Sequence, residues 1–300
     1  MKPIVSIVIP CYNDGAYLQQ AIDSCLAQTY EALEILVVND GSTDRATKAV
    51  LGRLSEPNIK VLHTNHLGPA QARNAAIAQS SGRYILPLDA DDWIDPEYVA
   101  QAVSVLDQQP EVGIVYCHAE LFGEKSGPWS LPDFSLEHFL TDNCIFIASM
   151  FRKEDWQLVG GFSQEFKHGL EDYDFWLSLI ERGRAVHQFS QVWFHYRIKP
   201  VSRSTQMNHH VTHMVDTYAL LYQRHRAFYQ QHMDAYCAGL RRALIWKNAL
   251  LGENTAMSTD PVSEYWLSLR VLKPRLAWRI EKLLMAKNRI REAMRWARRR

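Results

Sequence analysis

Residues 5–10 read Val-Ser-Ile-Val-Ile-Pro and residues 34–38 read Glu-Ile-Leu-Val-Val, and these two runs decide the fold. Each is nearly all apolar, as expected for a parallel strand that is covered on both faces. Residues 59–62 and 84–88 are similar, and amphipathic stretches lie between the runs. Strands that alternate with helices predict a mostly parallel, Rossmann-like α/β sheet with right-handed crossovers.

The pattern continues less regularly towards residue 200. We predict helices over 96–106, 153–159 and 173–182, strands over 112–116, 145–151 and 192–198, and loop plus edge structure over 122–140. After about residue 205 glycine and proline become sparse, and helical patterns dominate. The sequence therefore predicts an α/β domain over residues 1–205 and a helical, basic extension over residues 206–300.

Composition places the chain among globular proteins, and its charge is unevenly spread. Of 300 residues, 47% are hydrophobic and 22% are charged, which is typical of a protein with a sizeable core. The formal net charge is zero, yet residues 267–300 carry twelve Lys or Arg and two Glu. Such a basic, amphipathic tail fits an anionic membrane surface, and it equally fits a helix that packs on the α/β domain. Nucleic acid is not expected as a partner, because no recognised binding module is present.

Cysteine usage and hydropathy bear on location. The five cysteines are scattered and form no CxxC pair, so a disulfide framework or zinc site is not expected and a reducing compartment fits best. No apolar run reaches the roughly 18 residues of a membrane-spanning helix, and the first apolar run is too short for a signal peptide. We expect a cytoplasmic protein, either free or peripheral on the inner face of a membrane.

Two aspartates follow the predicted strand over residues 84–88. In an extended chain Asp89 and Asp91 point to the same side, whereas Asp92 points elsewhere. Mg²⁺ prefers one or two carboxylates together with waters and phosphate oxygens. Open α/β sheets bind ligands at this end of their strands. The structural alternative is that the pair only starts the next helix, but Asp95-Pro96 already supplies a cap and first turn.

Two further sites place a polar or charged side chain at the end of a predicted strand or inside the first turn of a predicted helix. Asp40 ends a buried strand and could hold a ribose or base, although this motif taken alone favours a plain strand–turn–helix connection. Arg73 lies about one turn inside a predicted helix, where it could pair with a phosphate or with the aspartates, or could simply be a surface arginine.

The segment 169–176 begins another helix and carries an acidic first turn. Such residues suit the helix dipole, which is the structural alternative. The functional interpretation makes Asp172 a general base, because a sugar hydroxyl must lose its proton as it attacks. Trp176 is four residues later on the same face, where its indole could stack on a sugar ring or fill the core.

Taken together, these motifs resemble the family 2 inverting glycosyltransferases of the GT-A fold. The resemblance covers about residues 3 to 200, in the order and spacing of the family. It is carried by Val5-Ser-Ile-Val-Ile-Pro-Cys-Tyr-Asn13, Val38-Asn-Asp-Gly-Ser-Thr-Asp44, Ala72-Arg-Asn74, Leu88-Asp-Ala-Asp-Asp92, Gly160-Gly-Phe162 and Glu171-Asp172. The chain departs from the pattern at Asn39, where many members carry a further Asp.

The resemblance implies a role for each matching position. Pro10 and Tyr12 would line the base pocket of the donor, Asp40 would contact its base or ribose, and Arg73 would lie near its diphosphate. Asp89 and Asp91 match the DXD motif, with Asp91 the stronger candidate for a divalent metal, Mg²⁺ or Mn²⁺. Asp172 matches the presumed base of the ED motif. Some GT-A enzymes use a late histidine as a metal ligand, which suggests His195, although a hydrogen-bonded strand histidine is the commoner case.

The implied activity is transfer of a hexosyl group, with inversion, from a nucleotide-diphosphate donor, a UDP-sugar first, to an acceptor hydroxyl. The basic tail fits a lipid-linked or cell-envelope glycan as acceptor. A nucleotidyltransferase is the alternative within enzymes, but the loop 11–15 has one glycine and no basic residue for a triphosphate. A dinucleotide oxidoreductase is disfavoured, because no GxGxxG motif follows the first strand of this chain. A non-catalytic nucleotide-sugar-binding protein would need the fold without its aspartates.

Overall fold

The computed structural model of the protein describes residues 2–200 and 211–250. Four strands with three helices between them form residues 5–87, as the apolar runs predicted. They are β1 (Val5–Cys11), α1 (Gly15–Leu26), β2 (Leu33–Asp40), α2 (Arg45–Leu51), β3 (Ile59–Thr64), α3 (Pro69–Gln79) and β4 (Tyr84–Pro87). The central residues of β1, β2 and β4 are fully buried, since helices cover both faces of this part of the sheet.

The next part of the chain, residues 93–198, adds shorter and more mixed elements. They are β5 (Trp93–Ile94), α4 (Tyr98–Gln108), β6 (Val112–Gly123), β7 (Gly127–Pro128), α5 (Leu136–Phe139), β8 (Met150–Arg152), α6 (Lys153–Val159), α7 (Glu171–Glu181) and β9 (Ala185–Ile198). Three helices follow after the gap: α8 (Val211–Arg224), α9 (Arg226–Gln231) and α10 (Met233–Leu250).

The strands form one mixed sheet in the order β3-β2-β1-β4-β8-β6-β9-β5, with β7 paired to β6. The block β3-β2-β1-β4 is parallel throughout, and β6 and β9 also pair in parallel. Strand β8 is antiparallel to both of its neighbours. Strand β8 lies between the two parallel blocks and separates them. The carboxyl ends of β1, β2 and β4 lie at the same end of the sheet, where the predicted site residues begin.

The structure corrects the boundaries of three predicted strands. Only Met150–Arg152 of the predicted strand 145–151 pairs in the sheet, and the preceding residues form an irregular segment. Strand β9 begins at Ala185, seven residues before the prediction, because it pairs along nearly the whole of β6. Strand β6 likewise extends to Gly123, into residues predicted as loop. Long-range pairing, which no local pattern reveals, sets these bounds.

The chain divides into two compact units, with the division after Met233. Helices α8 and α9 belong to the first unit and α10 extends into the second. The predicted boundary near residue 205 and the basic tail over 267–300 lie outside the described residues. Among the helices that are described, none combines the length and the apolar character needed to cross a membrane.

Candidate active site

Asp40 ends β2 and holds the loop that leads into α3. Its Oδ1 accepts hydrogen bonds from the Thr64 hydroxyl and the Leu67 amide, each at 2.7 Å, and its Oδ2 accepts one from the Gly68 amide at 2.8 Å. Gly68 has φ of 85°, a conformation that favours glycine, and α3 starts directly after it. The carboxylate is almost fully buried, so its first role is to fix this loop.

Tyr12 follows β1 and is the exposed aromatic side chain at this edge. Its ring lies 4.0 Å from the ring of His66, in the loop that Asp40 fixes. Pro10 lies within β1, two residues before it, and is partly exposed. Pro10, Tyr12 and Asp40 therefore lie around one end of the sheet, where the sequence predicted the nucleotide base and ribose.

Arg73 links α3 to two distant acidic residues. It is 3% exposed, and its guanidinium bonds Asp89 Oδ1 at 2.5 Å and Glu171 Oε1 at 2.9 Å. Burial by itself lowers the pKa of Arg73, but the two carboxylates more than offset it and raise that pKa, so the side chain is charged. The alternative of a surface arginine is wrong. Arg73 instead joins the carboxyl end of β4 to the start of α7.

Asp89 and Asp91 lie in a turn, which corrects the extended conformation assumed from the sequence. The Asp92 amide donates to the Asp89 carbonyl at 3.1 Å, closing a four-residue turn before β5. Asp89 faces Arg73, whereas Asp91 Oδ2 lies 2.8 Å from Lys199 Nζ. Burial raises the pKa of Asp91, as does the nearby charge of Asp89, while Lys199 lowers it. The charges of the two carboxylates therefore repel each other, although Asp89 pairs with Arg73 and Asp91 pairs with Lys199.

Asp92 is buried behind this turn. Its Oδ1 accepts from the Arg197 amide at 2.8 Å, and its Oδ2 has no hydrogen-bond partner. Burial, together with the charges of Asp91 and Asp89, raises its pKa well above the usual value. The Arg197 side chain donates to the Asp91 carbonyl at 2.8 Å, so the end of β9 holds the turn in place.

Asp172 lies in the first turn of α7, after an unusual backbone entry. Leu170 has φ of 67°, in the left-handed region that is costly for such a residue, and Gly169 precedes it. Asp172 Oδ1 accepts from the Tyr173 amide at 2.8 Å, and Oδ2 accepts from the Asn143 side chain at 3.2 Å. These bonds orient the carboxylate.

A cavity of about 440 Å³ brings some of these groups together, but Pro10, Tyr12, Asp40 and Asp91 do not line it. Asp89, Arg73, Glu171 and Asp172 line its polar side. The rest of the lining is largely aromatic and aliphatic and includes Trp129, Leu131, Ile145, Phe146, Ile147, Phe194, Tyr196, Met214 and Tyr218. The Trp129 and Tyr196 rings lie 4.6 Å apart. The cavity therefore pairs hydrogen-bonding carboxylates with ring faces, a combination that suits a sugar.

Trp176 lies in the core and does not line the cavity. It is fully buried, and its ring packs against Phe151 and Phe175. Of the two interpretations left open by the sequence, the core role is the one that this placement supports. Trp176 faces inward because it lies on the apolar side of α7, which packs on the sheet.

His195 lies on β9 beside β5. Its ring stacks on Trp93 at 3.4 Å, and its Nδ1 and Nε2 lie 2.8 Å from Glu120 and 3.3 Å from Asp95. Both ring nitrogens therefore face carboxylates other than Asp91. In the part of the chain that the structure describes, no three His, Cys, Asp or Glu side chains are grouped so as to hold a metal ion. The role of His195 as a metal ligand therefore stays a prediction.

Sequence reasoning did not single out four of the contacts that shape the site. Glu171 binds Arg73, Asn143 binds Asp172, and Lys199 binds both Asp91 and Asp14. Each of these contacts joins segments that are distant in sequence. Glu171 carried a signal, since it adjoins Asp172 in the ED pair. Lys199 carried none, because nothing local distinguishes it from a surface lysine.

Comparisons with known proteins agree with this architecture. The fold is of the GT-A type, as in solved transferases. The S. aureus TarS complex with UDP-GlcNAc aligns with a TM-score of 0.58 and 21% identity, over 67% of this chain and 60% of that one. A mannosyltransferase from Pyrobaculum calidifontis, solved with GDP-Man and Mn²⁺, aligns with a TM-score of 0.59 and 21% identity, over 94% of this chain and 88% of that one.

Sequence comparison gives the family. The family model for glycosyl transferase family 2 matches residues 6–162, more than half of the chain, and the protein belongs to that family. A chondroitin synthase of Pasteurella multocida is 33% identical over 191 residues, 62% of this chain but 20% of that protein. An uncharacterized glycosyltransferase of Rickettsia typhi is 32% identical over 67% of this chain and 64% of that protein. The chain thus matches about a fifth of the synthase and nearly two thirds of the rickettsial protein.

Proposed function

We propose that the protein transfers a sugar, with inversion, from a nucleoside-diphosphate donor to an acceptor hydroxyl. A UDP-sugar is the donor we favour, because a neighbour of this fold was solved with UDP-GlcNAc, although another was solved with GDP-Man. The observation that carries the proposal is the single cavity that Asp89, Arg73 and Asp172 share. A donor held at the carboxyl ends of the strands would present its anomeric carbon to the carboxylate of α7.

In this mechanism Asp172 is the general base. Asn143 and the Tyr173 amide hold its carboxylate, so one oxygen lone pair can be aimed at the acceptor hydroxyl. The hydroxyl oxygen attacks the anomeric carbon while its proton passes to Asp172, and the bond to the nucleoside diphosphate breaks on the opposite side. Arg73 lies at the same cavity with a permanent charge, which would stabilise the negative charge that develops on the leaving group.

The residues present fit a divalent cation. Asp89 and Asp91 lie partly exposed in one turn, and their negative charges repel each other. A Mg²⁺ or Mn²⁺ ion that is bound by one or two carboxylates takes its other ligands from water and phosphate. Asp91, aided by Asp89, would hold the ion. When bound, the ion would neutralise charge on the departing diphosphate. The neighbour solved with GDP-Man and Mn²⁺ supports a metal of this kind.

The acceptor is proposed to be a glycan, free or lipid-linked, in cell-envelope or surface polysaccharide synthesis. The aromatic wall around Trp129 and Tyr196 would take the apolar face of a sugar ring, while the carboxylates opposite would bind its hydroxyls. The similarity to chondroitin and hyaluronan synthases supports a polysaccharide product.

The basic tail would hold the protein on an anionic membrane surface. Its charge, from residues 267–300, is the basis of this proposal. Ending the chain after Pro274 should release the protein from membrane fractions, and raised salt should release the full chain as well. Membrane association that survives both changes would contradict it.

The function is tested with a panel of nucleotide sugars and simple glycoside acceptors. We expect release of nucleoside diphosphate that depends on the acceptor, stops with excess chelator and returns with Mg²⁺ or Mn²⁺. Release of pyrophosphate would favour the nucleotidyltransferase alternative. Donor binding without turnover across the panel would favour a non-catalytic binding protein, and full activity in chelator would contradict the role of Asp89 and Asp91.

A further inference from the structure

Lys199 extends from the end of β9 into the acidic turn after β4. Its Nζ lies 2.8 Å from Asp91 Oδ2 and 2.8 Å from Asp14 Oδ1. The ammonium also lies 5.5 Å from the centre of the Tyr17 ring. The side chain is only 16% exposed, so this contact is shielded from solvent. Segments from opposite ends of the first unit thus meet at one ammonium group.

The Asp14 side chain accepts a hydrogen bond from Lys199 and does not cap α1. Asp14 occupies the N-cap position of α1, where a carboxylate normally accepts from the first helical amides, yet its side chain makes no such bond. It accepts from Lys199 instead. Asp14 therefore helps to fix the lysine instead of capping α1 with its side chain.

The backbone around Lys199 is also fixed. Two residues earlier, the Arg197 amide donates to Asp92 and the Arg197 side chain donates to the Asp91 carbonyl. Arg197 further lies over the rings of Tyr17 and Phe122, at 4.5 Å and 4.3 Å. Several contacts thus hold the end of β9 against the turn, so that the lysine reaches Asp91 from a rigid base.

We propose that Lys199 is a built-in counter-cation that competes with the divalent metal for Asp91. The inference rests on the proposed function, because it takes Asp91 as the principal metal ligand. The ion pair with the ammonium weakens the attraction of the same carboxylate for a divalent cation. The ammonium and the cation, a few ångströms apart, would also repel each other. The lysine neutralises Asp91 in the absence of metal and lowers the affinity for metal alone. Donor phosphates add ligands and negative charge, so the metal binds well only together with the nucleotide.

The test measures Mn²⁺ binding directly, by the loss of the free-ion electron paramagnetic resonance signal, without nucleotide and without turnover. Lys199→Gln should bind Mn²⁺ about tenfold more tightly than the wild type, a change of about 1.4 kcal/mol. Lys199→Arg keeps the charge and should bind as the wild type does. Lys60→Gln removes an exposed lysine on β3 and serves as the matched control, with no expected change.

A second neutral variant, Lys199→Met, guards against a folding defect, and circular dichroism melts accompany each protein. Equal or weaker Mn²⁺ binding in the folded neutral variants would overturn the proposal while leaving the metal site intact. Asp91→Asn separates the two ideas. If it leaves Mn²⁺ affinity unchanged in both the wild-type and Lys199→Gln backgrounds, Asp91 is not a ligand and the proposed metal site itself fails. We expect it to weaken binding in both.

Discussion

At the scale of single residues, the site depends on carboxylates that are held by specific partners. Asp40, Asp89 and Asp172 each accept hydrogen bonds from another segment, and these bonds fix the positions of the three carboxylates. The charges of Asp40, Arg73 and Glu171 are buried, and buried charges are expensive unless they are paired or hydrogen-bonded. The pairing therefore serves to position groups that the chemistry needs, and it makes the fold sensitive to the loss of one partner.

Arg73 is the clearest case of such sensitivity. Replacing it with Met would leave Asp89 and Glu171 without the guanidinium that they share, so we expect a loss of roughly 3–5 kcal/mol in the free energy of unfolding. Urea denaturation measures this. The control is Arg83→Met, which removes an exposed arginine 3.7 Å from Asp107 and should cost no more than about 1 kcal/mol. Equal losses in the two variants would contradict the account.

Trp129 tests the acceptor side of the cavity. We expect Trp129→Ala to raise the KM for a glycoside acceptor about threefold to tenfold, the effect of losing one ring contact, with little change in the KM for the donor. Steady-state kinetics with each substrate varied in turn would separate the two. Phe189→Ala removes an aromatic side chain from β9 outside the cavity lining and should change neither. An effect on the donor alone would assign Trp129 to the wrong substrate.

At the scale of elements, helix α7 is held by the helices that follow it as well as by the sheet. His225, between α8 and α9, lies 3.0 Å from Asp174 and 2.9 Å from Glu181, and Arg224 bonds Asp174 at 2.7 Å. Burial lowers the pKa of His225, but the hydrogen bonds to the two carboxylates outweigh it and raise that pKa to about 9. The contact thus ties α8 and α9 to the helix that carries Asp172.

This contact predicts a pH dependence of stability. The folded pKa lies above the ordinary value of 6.5, so the stabilisation is complete below that pH and is lost as the pH rises through about 9. We expect the free energy of unfolding to fall by at most about 3 kcal/mol across this window. His225→Gln should flatten the profile, whereas His63→Gln, an exposed histidine on β3, should leave it unchanged. A wild-type profile as flat as that of His225→Gln would contradict the contact.

At the scale of the whole molecule, the sequence predicted the parallel block and the residues at its edge because both leave local signals. Buried strands are apolar runs, and the motifs at their carboxyl ends follow directly in the chain. What the sequence did not predict depends on distant pairing. The turn at Asp89, the length of β9 and the partners Glu171 and Lys199 arise from segments that meet only in the folded protein.

The central claim is that Asp172 takes the proton from the acceptor. The most direct test compares the transfer rate and the donor affinity of Asp172→Asn with those of the wild type, with Asp23→Asn, an exposed aspartate on α1, as control. We predict that Asp172→Asn binds the donor as the wild type does but transfers roughly 10²- to 10⁴-fold more slowly. A transfer rate near that of the wild type would contradict the account.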